Sequence, residues 1–186
     1  MCMPLLTNSA HFITFSSHSK HNLRFISLQF ILKLIKWRKI RYRTWKSMVI
    51  ITNNELETVL EGEKLGRTLS PGDVVAMRGG LGAGKTAFIR GLAAGLGVVT
   101  SITSPTFTIV NECPGKIPLF HFDMYRIGNE NELHDIGWDD YLNQGGVCAV
   151  EWSENIQNAL PHNAIVVQIE SLGGDIRRLE IYGVES

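Results

Sequence analysis

The stretch Val74-Val75-Ala76-Met77-Arg78-Gly79-Gly80-Leu81-Gly82-Ala83-Gly84-Lys85-Thr86 decides how the chain is read. An apolar run enters a glycine-rich turn, and the turn ends in Lys-Thr. Ala87-Phe88-Ile89-Arg90-Gly91-Leu92-Ala93 then continues with helical apolar spacing. That order is strand, loop, helix. Gly79 to Thr86 fits G-x-x-x-x-G-K-[ST], the phosphate-loop pattern. Glycines let the backbone turn tightly, so that successive N–H groups face inward on phosphate oxygens. A helix opening at Lys85 aims the positive end of its dipole at the same phosphates. The expected nucleotide-binding set is Gly82, Ala83, Gly84, Lys85, Thr86 and Ala87. Lys85 is placed to reach the β- and γ-phosphates and the Thr86 hydroxyl to hold Mg²⁺. A glycine-rich connection carrying a surface lysine is the plain alternative, and the flanking strand and helix speak against it.

Upstream, Met48-Val49-Ile50-Ile51 reads as a strand. Asn54 and Glu57 have capping-box spacing ahead of an amphipathic helix over about 54–69, in which Gly62 and Gly66 either weaken the helix or allow close packing. Ser70-Pro71-Gly72-Asp73 is a turn. Downstream, the phosphate-loop helix spans about 85–96. A polar loop runs to Pro105, and Thr106 to Glu112 alternates as a strand does. A hairpin turn at 113–116 leads to a strand over 117–125. Short helices follow at 130–136 and 138–142, and Val147 to Glu151 is an apolar run closed by an acid. A further helix spans 153–160, and two strands, 164–169 and 178–182, close the chain. The alternation of strands and helices predicts an α/β fold with ligand at the carboxyl ends of the strands.

Of 186 residues, 44% are hydrophobic and 19% charged, ordinary for a globular domain, and the formal net charge is zero. The zero hides an asymmetry. Residues 1–47 hold nine Lys/Arg and no acid, while 48–186 hold nine Lys/Arg against eighteen Asp/Glu. Three readings fit residues 1–47: an organellar transit peptide, a basic membrane or nucleic-acid arm, or an upstream extension, disordered or outside a native domain of 48–186. The extension is the reading adopted. Cys2, Cys113 and Cys148 show no paired or metal-ligand spacing, and Cys148 lies in an apolar run as a buried free thiol would. No apolar stretch approaches the roughly 20 residues of a membrane span. The expected setting is cytoplasmic, without a membrane.

A phosphate loop needs acids for its metal. Glu151 follows four small or apolar residues, a Walker B arrangement that delivers a carboxylate beside Thr86. The alternative is an ordinary strand-end acid. On His121-Phe122-Asp123-Met124-Tyr125-Arg126, alternation puts His121, Asp123 and Tyr125 on one face. Asp123 is placed to orient water or support the metal; otherwise it pairs with Arg126 or caps a turn. His121 reads as a packed histidine rather than a base. Ser104-Pro105-Thr106 falls where related GTPases carry a switch that senses the γ-phosphate, or is simply a strand-initiating turn. Trp152 packs either beside the nucleotide or in the core. The Asn-Lys-x-Asp motif that selects guanine is absent, which favours adenine.

Taken together, Leu81 to Thr86, Ser104 to Thr108, His121 to Arg126 and Glu151-Trp152-Ser153-Glu154, in that order, resemble the TsaE (YjeE-like) family over about residues 49–182. The resemblance implies a P-loop NTPase-like three-layer α/β fold with a central, mostly parallel sheet and added antiparallel strands. It implies a Mg²⁺-dependent ATPase of low intrinsic activity in synthesis of threonylcarbamoyladenosine (t⁶A). The family works with TsaB-like and TsaD-like partners that transfer the threonylcarbamoyl group to adenosine 37, so that tRNA is met through the complex. By the same resemblance Lys85 and Thr86 are phosphate and magnesium residues, Glu151 is a magnesium acid, Asp123 is catalytically important, and Thr58 touches the nucleotide. Gly80 stands where the family usually has Asp, and Cys113 where it usually has an aromatic residue.

Two other classes remain. A small-molecule kinase wants a basic lid. Residues 124–160 offer a single Arg126 among a surplus of acids. A binding module switched by nucleotide, with negligible turnover, is compatible with the sequence, since phosphate-loop hydrolysis can be very slow.

Overall fold

The computed structural model describes residues 46–128 and 131–184. Most of the 1–47 extension, Cys2 included, lies outside the described residues. Strand β1 (Lys46–Thr52) starts two residues before Met48. Helix α1 (Glu55–Gly66) follows, then β2 (Val74–Arg78), α2 (Lys85–Gly95), β3 (Val110–Cys113) and β4 (Leu119–Asp123). Short helices α3 (Asn131–Asp135) and α4 (Trp138–Asn143) lead to β5 (Val147–Glu151), a 3₁₀ turn (Ser153–Ile156), β6 (Ile165–Gly173) and β7 (Ile176–Val184). The start of α1 is capped as its sequence requires. Asn54 accepts from Glu57 N at 2.9 Å, and the Glu57 carboxylate accepts in return from Asn53 N at 2.8 Å. The Asn53 N–H, with the side-chain amides of Asn53 and Asn54 that also donate to it, holds the Glu57 carboxyl below its ordinary pKa.

One seven-stranded sheet runs β1-β7-β6-β2-β5-β4-β3. β6, β2, β5 and β4 are parallel neighbours; β7, β1 and β3 join antiparallel. The parallel centre is apolar on both faces, as strands covered on both sides must be, and β2 and β5 are buried almost throughout. Val75, Met77, Ala149 and Val167 share a core with Phe88 and Leu92 of α2. On the opposite face Val74, Phe122, Cys148 and Val150 share a core with Leu133, Trp138 and Ile156. This is the expected three-layer α/β arrangement.

Gly62 and Gly66 serve close packing. A Cβ at Gly62 would lie 2.1 Å from Phe88 O, and one at Gly91 only 1.8 Å from Val59 O. α1 and α2 therefore meet backbone to backbone.

Three expectations need correction. Thr106 to Thr108 form a turn, not the start of a strand: Ile109 N donates to Pro105 O at 2.8 Å, Ile109 has φ +66°, and β3 begins only at Val110. The helix expected over 153–160 is a 3₁₀ turn that ends at Ile156, entered from Trp152 in the left-handed region. The last two strands are longer than expected, because Glu170 pairs with Arg178 and Ser171 with Arg177 in a polar extension of the hairpin. Glu130, expected to open a helix, lies outside the described residues; α3 covers Asn131–Asp135, and Ile136 falls in the turn that follows.

Candidate functional site

Three adjacent strand ends build the site. β2 runs into the phosphate loop, β5 ends at Glu151, and β4 ends at Asp123. In register, Met77 lies beside Glu151, and Glu151 beside Asp123. The sheet therefore sets the lateral order loop, Glu151, Asp123. Lys85, Thr86, Glu151, Asp123, Ser104 and Thr106 line one recess of about 430 Å³.

The loop turns where only glycine fits. Gly79 has φ +136°, and a Cβ there would lie 2.2 Å from Ile169 O. Gly84 (φ +110°) caps α2 without a side-chain bond, so no side chain competes for the first amides of the helix. Lys85 is 5% exposed. Its Nζ donates to Gly79 O at 2.7 Å and Gly80 O at 3.0 Å, and lies 3.7 Å from the centroid of the Trp152 ring. Burial lowers the Lys85 pKa below its ordinary value, while Glu151, Glu154 and Asp123 pull it upward. Trp152 thus has both expected roles, lining the recess and packing against the second core. Gly80 has open space where a Cβ would stand, so nothing steric requires glycine there.

The Thr86 hydroxyl donates to Glu151 Oε1 at 2.8 Å, a contact across 65 residues. Glu151 is 4% exposed. A hydroxyl and a carboxylate held together at a phosphate loop are hard oxygen donors of the kind Mg²⁺ takes, with phosphate and water completing its shell. Among the described residues no group of three or more His, Cys, Asp or Glu could hold a metal by itself. The residues present fit a metal carried in with a nucleotide.

Asp123 does not pair with Arg126, whose guanidinium lies over the Phe107 ring. Its Oδ2 accepts from Ser104 Oγ at 2.8 Å and Thr106 Oγ1 at 3.0 Å, and its Oδ1 accepts from Tyr125 N at 3.0 Å. The acid therefore caps a turn and also holds the Ser104–Thr106 loop, read as a switch or a strand-initiating turn. His121 is buried, as a packed histidine would be, but its Nε2 lies 2.9 Å from Glu151 Oε1.

Thr58 lies outside the main recess. It lines a smaller one of about 100 Å³ on the other side of the loop, with Glu55, Gly82, Gly84, Asp175 and Arg177. Its hydroxyl sits 2.8 Å from Thr52 Oγ1. Sequence reasoning missed Arg177, because no local motif marks a hairpin arginine that reaches a loop some ninety residues earlier. It also missed the His121–Glu151 contact, although alternation had put His121 on the face of Asp123.

A family model described as "Threonylcarbamoyl adenosine biosynthesis protein TsaE" matches residues 52–179. The tRNA threonylcarbamoyladenosine biosynthesis protein TsaE of Bacillus subtilis is 37% identical over 154 residues, covering 82% of this chain and 88% of that protein. The protein of the same name from Treponema pallidum is 36% identical over 134 residues, 72% of this chain and 99% of its own length. The crystal structure of Bacillus subtilis YdiB superposes with a TM-score of 0.64 at 35% identity, covering 75% of this chain and 86% of that one. With a phosphate loop, a Thr86–Glu151 contact and Asp123 on adjacent strand ends, and a family match across most of its length, the chain belongs to the TsaE family.

Proposed function

We propose that this chain is the Mg²⁺-dependent ATP hydrolase of tRNA t⁶A synthesis, with its nucleotide chemistry in residues 48–186. The observation that carries the reading is the convergence of Lys85, Thr86, Glu151 and Asp123 on one recess at the carboxyl ends of three neighbouring strands. The glycine loop and the first amides of α2 cradle the phosphates. Lys85 exchanges two loop carbonyls for phosphate oxygens as the nucleotide enters. Thr86 and Glu151 hold the Mg²⁺, which neutralises charge on the β- and γ-phosphates. Asp123 and the Ser104–Thr106 loop stand where an attacking water would be oriented.

Adenine is preferred, since nothing in the chain resembles a guanine-selecting motif. The described residues and their acidic composition do not favour direct tRNA binding, because phosphate contacts need clustered Lys and Arg. TsaB-like and TsaD-like partners therefore supply the contact with tRNA and carry out the transfer. No helix among the described residues is long and apolar enough to cross a membrane.

The test is phosphate release in a reconstitution with the partner proteins, ATP, Mg²⁺ and tRNA. Lys85→Ala and Glu151→Ala are each expected to abolish it. Undiminished release in both variants refutes the site. In a strain depleted of the protein, t⁶A measured by mass spectrometry is expected to fall, and normal levels refute the pathway role.

A further inference from the structure

His121 is fully buried on β4, and it is not one of the residues that line the nucleotide recess. Its Nε2 lies 2.9 Å from Glu151 Oε1, the same oxygen that accepts the Thr86 hydroxyl at 2.8 Å. A carboxylate oxygen accepts, so the imidazole proton sits on Nε2. Nδ1 is buried and has no partner among the described residues. A leucine or phenylalanine would fill this position without an unmatched nitrogen, and an unpaired buried polar atom is unfavourable. The ring is therefore a poor choice for packing alone. It makes one directed contact, and that contact falls on the acid of the site.

The sheet explains the reach. His121 pairs in register with Ala149, two residues before Glu151 on the same face of β5. The ring thus approaches the carboxylate diagonally from within the sheet, while Thr86 approaches from the start of α2. Two donors on one oxygen fix the rotation of a side chain that otherwise turns about three bonds.

We propose that His121 is a positioning residue: it holds the Glu151 carboxylate, and through it the Thr86 hydroxyl, in the orientation that receives Mg²⁺ with the nucleotide. This rests on the Mg²⁺–ATP reading above. The arrangement matches a general feature of metal sites, in which a hydrogen-bonded partner behind a ligand fixes its orientation. His121 itself touches neither nucleotide nor metal.

The experiment is a calorimetric Mg²⁺ titration of ADP binding to the full chain. Wild type is compared with His121→Leu, which fills the space without a donor, and His121→Gln, whose amide N–H replaces Nε2–H. In His121→Leu the Mg²⁺ concentration giving half-maximal tightening is expected to rise by about 10–100-fold, with metal-free ADP affinity within roughly twofold of wild type. His121→Gln is expected to recover most of that shift. A merely structural role would lower thermal stability and both affinities together, and Gln would not restore the metal term. An unchanged Mg²⁺ dependence in His121→Leu, or equal loss in Leu and Gln, overturns the proposal. If wild type itself shows no Mg²⁺ dependence, the metal reading of the site falls and this inference with it. Should His121→Leu fail to fold, His121→Asn, whose shorter amide stops short of Glu151, is set against His121→Gln with the same criteria.

Discussion

Replacing Gly91 by alanine tests how the phosphate-loop helix is seated. An alanine Cβ at this position would lie 1.8 Å from Val59 O, 2.7 Å from Val59 C and 2.8 Å from Glu63 N. All three are backbone atoms of α1, so no side chain can rotate away. Ordinary contact begins near 3.4 Å, which leaves a gap of about 1.6 Å to be made by moving one helix. That movement would lift Phe88 and Leu92, both fully buried, from the core they share with β2. Against this, Gly→Ala in a helix interior gains about 1 kcal/mol of propensity. Overpacking of a well-packed core costs about 1–3 kcal/mol, and a rigid backbone target puts this site at or above the upper end. The net loss is then about 2 kcal/mol, or roughly 6 °C in Tm at about 3 °C per kcal/mol for a domain of this size. Thermal unfolding followed by circular dichroism reads it directly. Gly80→Ala is the control, since a Cβ there meets nothing within 4 Å and its φ is not positive. A Gly91→Ala protein as stable as wild type, or more so, would show that propensity outweighs the contact and that the close seating of α2 on α1 is not required.

Asp123→Asn keeps an acceptor for Tyr125 N but removes the charge that accepts from Ser104 and Thr106. It is expected to fold with the Ser104–Thr106 loop held less firmly and to lose about 10²-fold or more in partner-stimulated hydrolysis, the scale of a positioned acid–base group; wild-type rates would refute the assignment. Burial pushes the Cys148 thiol from its ordinary 9.0 up to about 12. Between those values the unfolded chain gives up the proton that the folded chain keeps, so stability is intact below pH 9 and falls as pH rises toward 12. The loss reaches about 4 kcal/mol at about 1.36 kcal/mol per tenfold. Cys148→Ala is expected to flatten that alkaline limb in denaturant titrations, and an unchanged limb would refute it.

What the sequence made legible was local. The phosphate loop, the Asn54 cap and β5 with its terminal Glu151 are each written within a dozen consecutive residues, and each falls where its pattern puts it. What escaped was decided by partners far along the chain. Thr106 to Thr108 alternate like a strand, yet Asp123, seventeen residues on from Thr106, draws the Ser104 and Thr106 hydroxyls into a turn. The segment after Glu151 has helical composition, but the left-handed Trp152 and the Asn155 amide, which donates to Met124 O at 2.8 Å, tie it down as a 3₁₀ turn. The end of β6 lost its apolar signal because the hairpin extends beyond β2 and is exposed there. His121 is packed as its pattern implies, but its contact with Glu151, an acid thirty residues away, is invisible to periodicity.

The two acids of the site are held in different ways, and the difference bears on how the proposed hydrolysis would be gated. Glu151 is tied to Thr86 and His121, both on regular elements that share the central core, so its position is fixed by the sheet and α2. Asp123 is just as firmly placed, on β4, but the groups it holds are not. Ser104 and Thr106 belong to an irregular loop whose next residue, Phe107, is 86% exposed. Hydrogen bonds to a charged acceptor contribute about 1.5–3 kcal/mol each, so the loop is held on Asp123 by a few kcal/mol in total. Phosphate oxygens are acceptors of the same charge and strength. On the proposed reading, a γ-phosphate in the recess would compete for one or both hydroxyls at nearly even exchange. That trade would leave the Asp123 carboxylate open to accept a hydrogen bond from water. On the Mg²⁺–ATP reading proposed above, the Thr86–Glu151 pair would be preset, and the step open to control would be the hand-over of two hydroxyls from acid to phosphate.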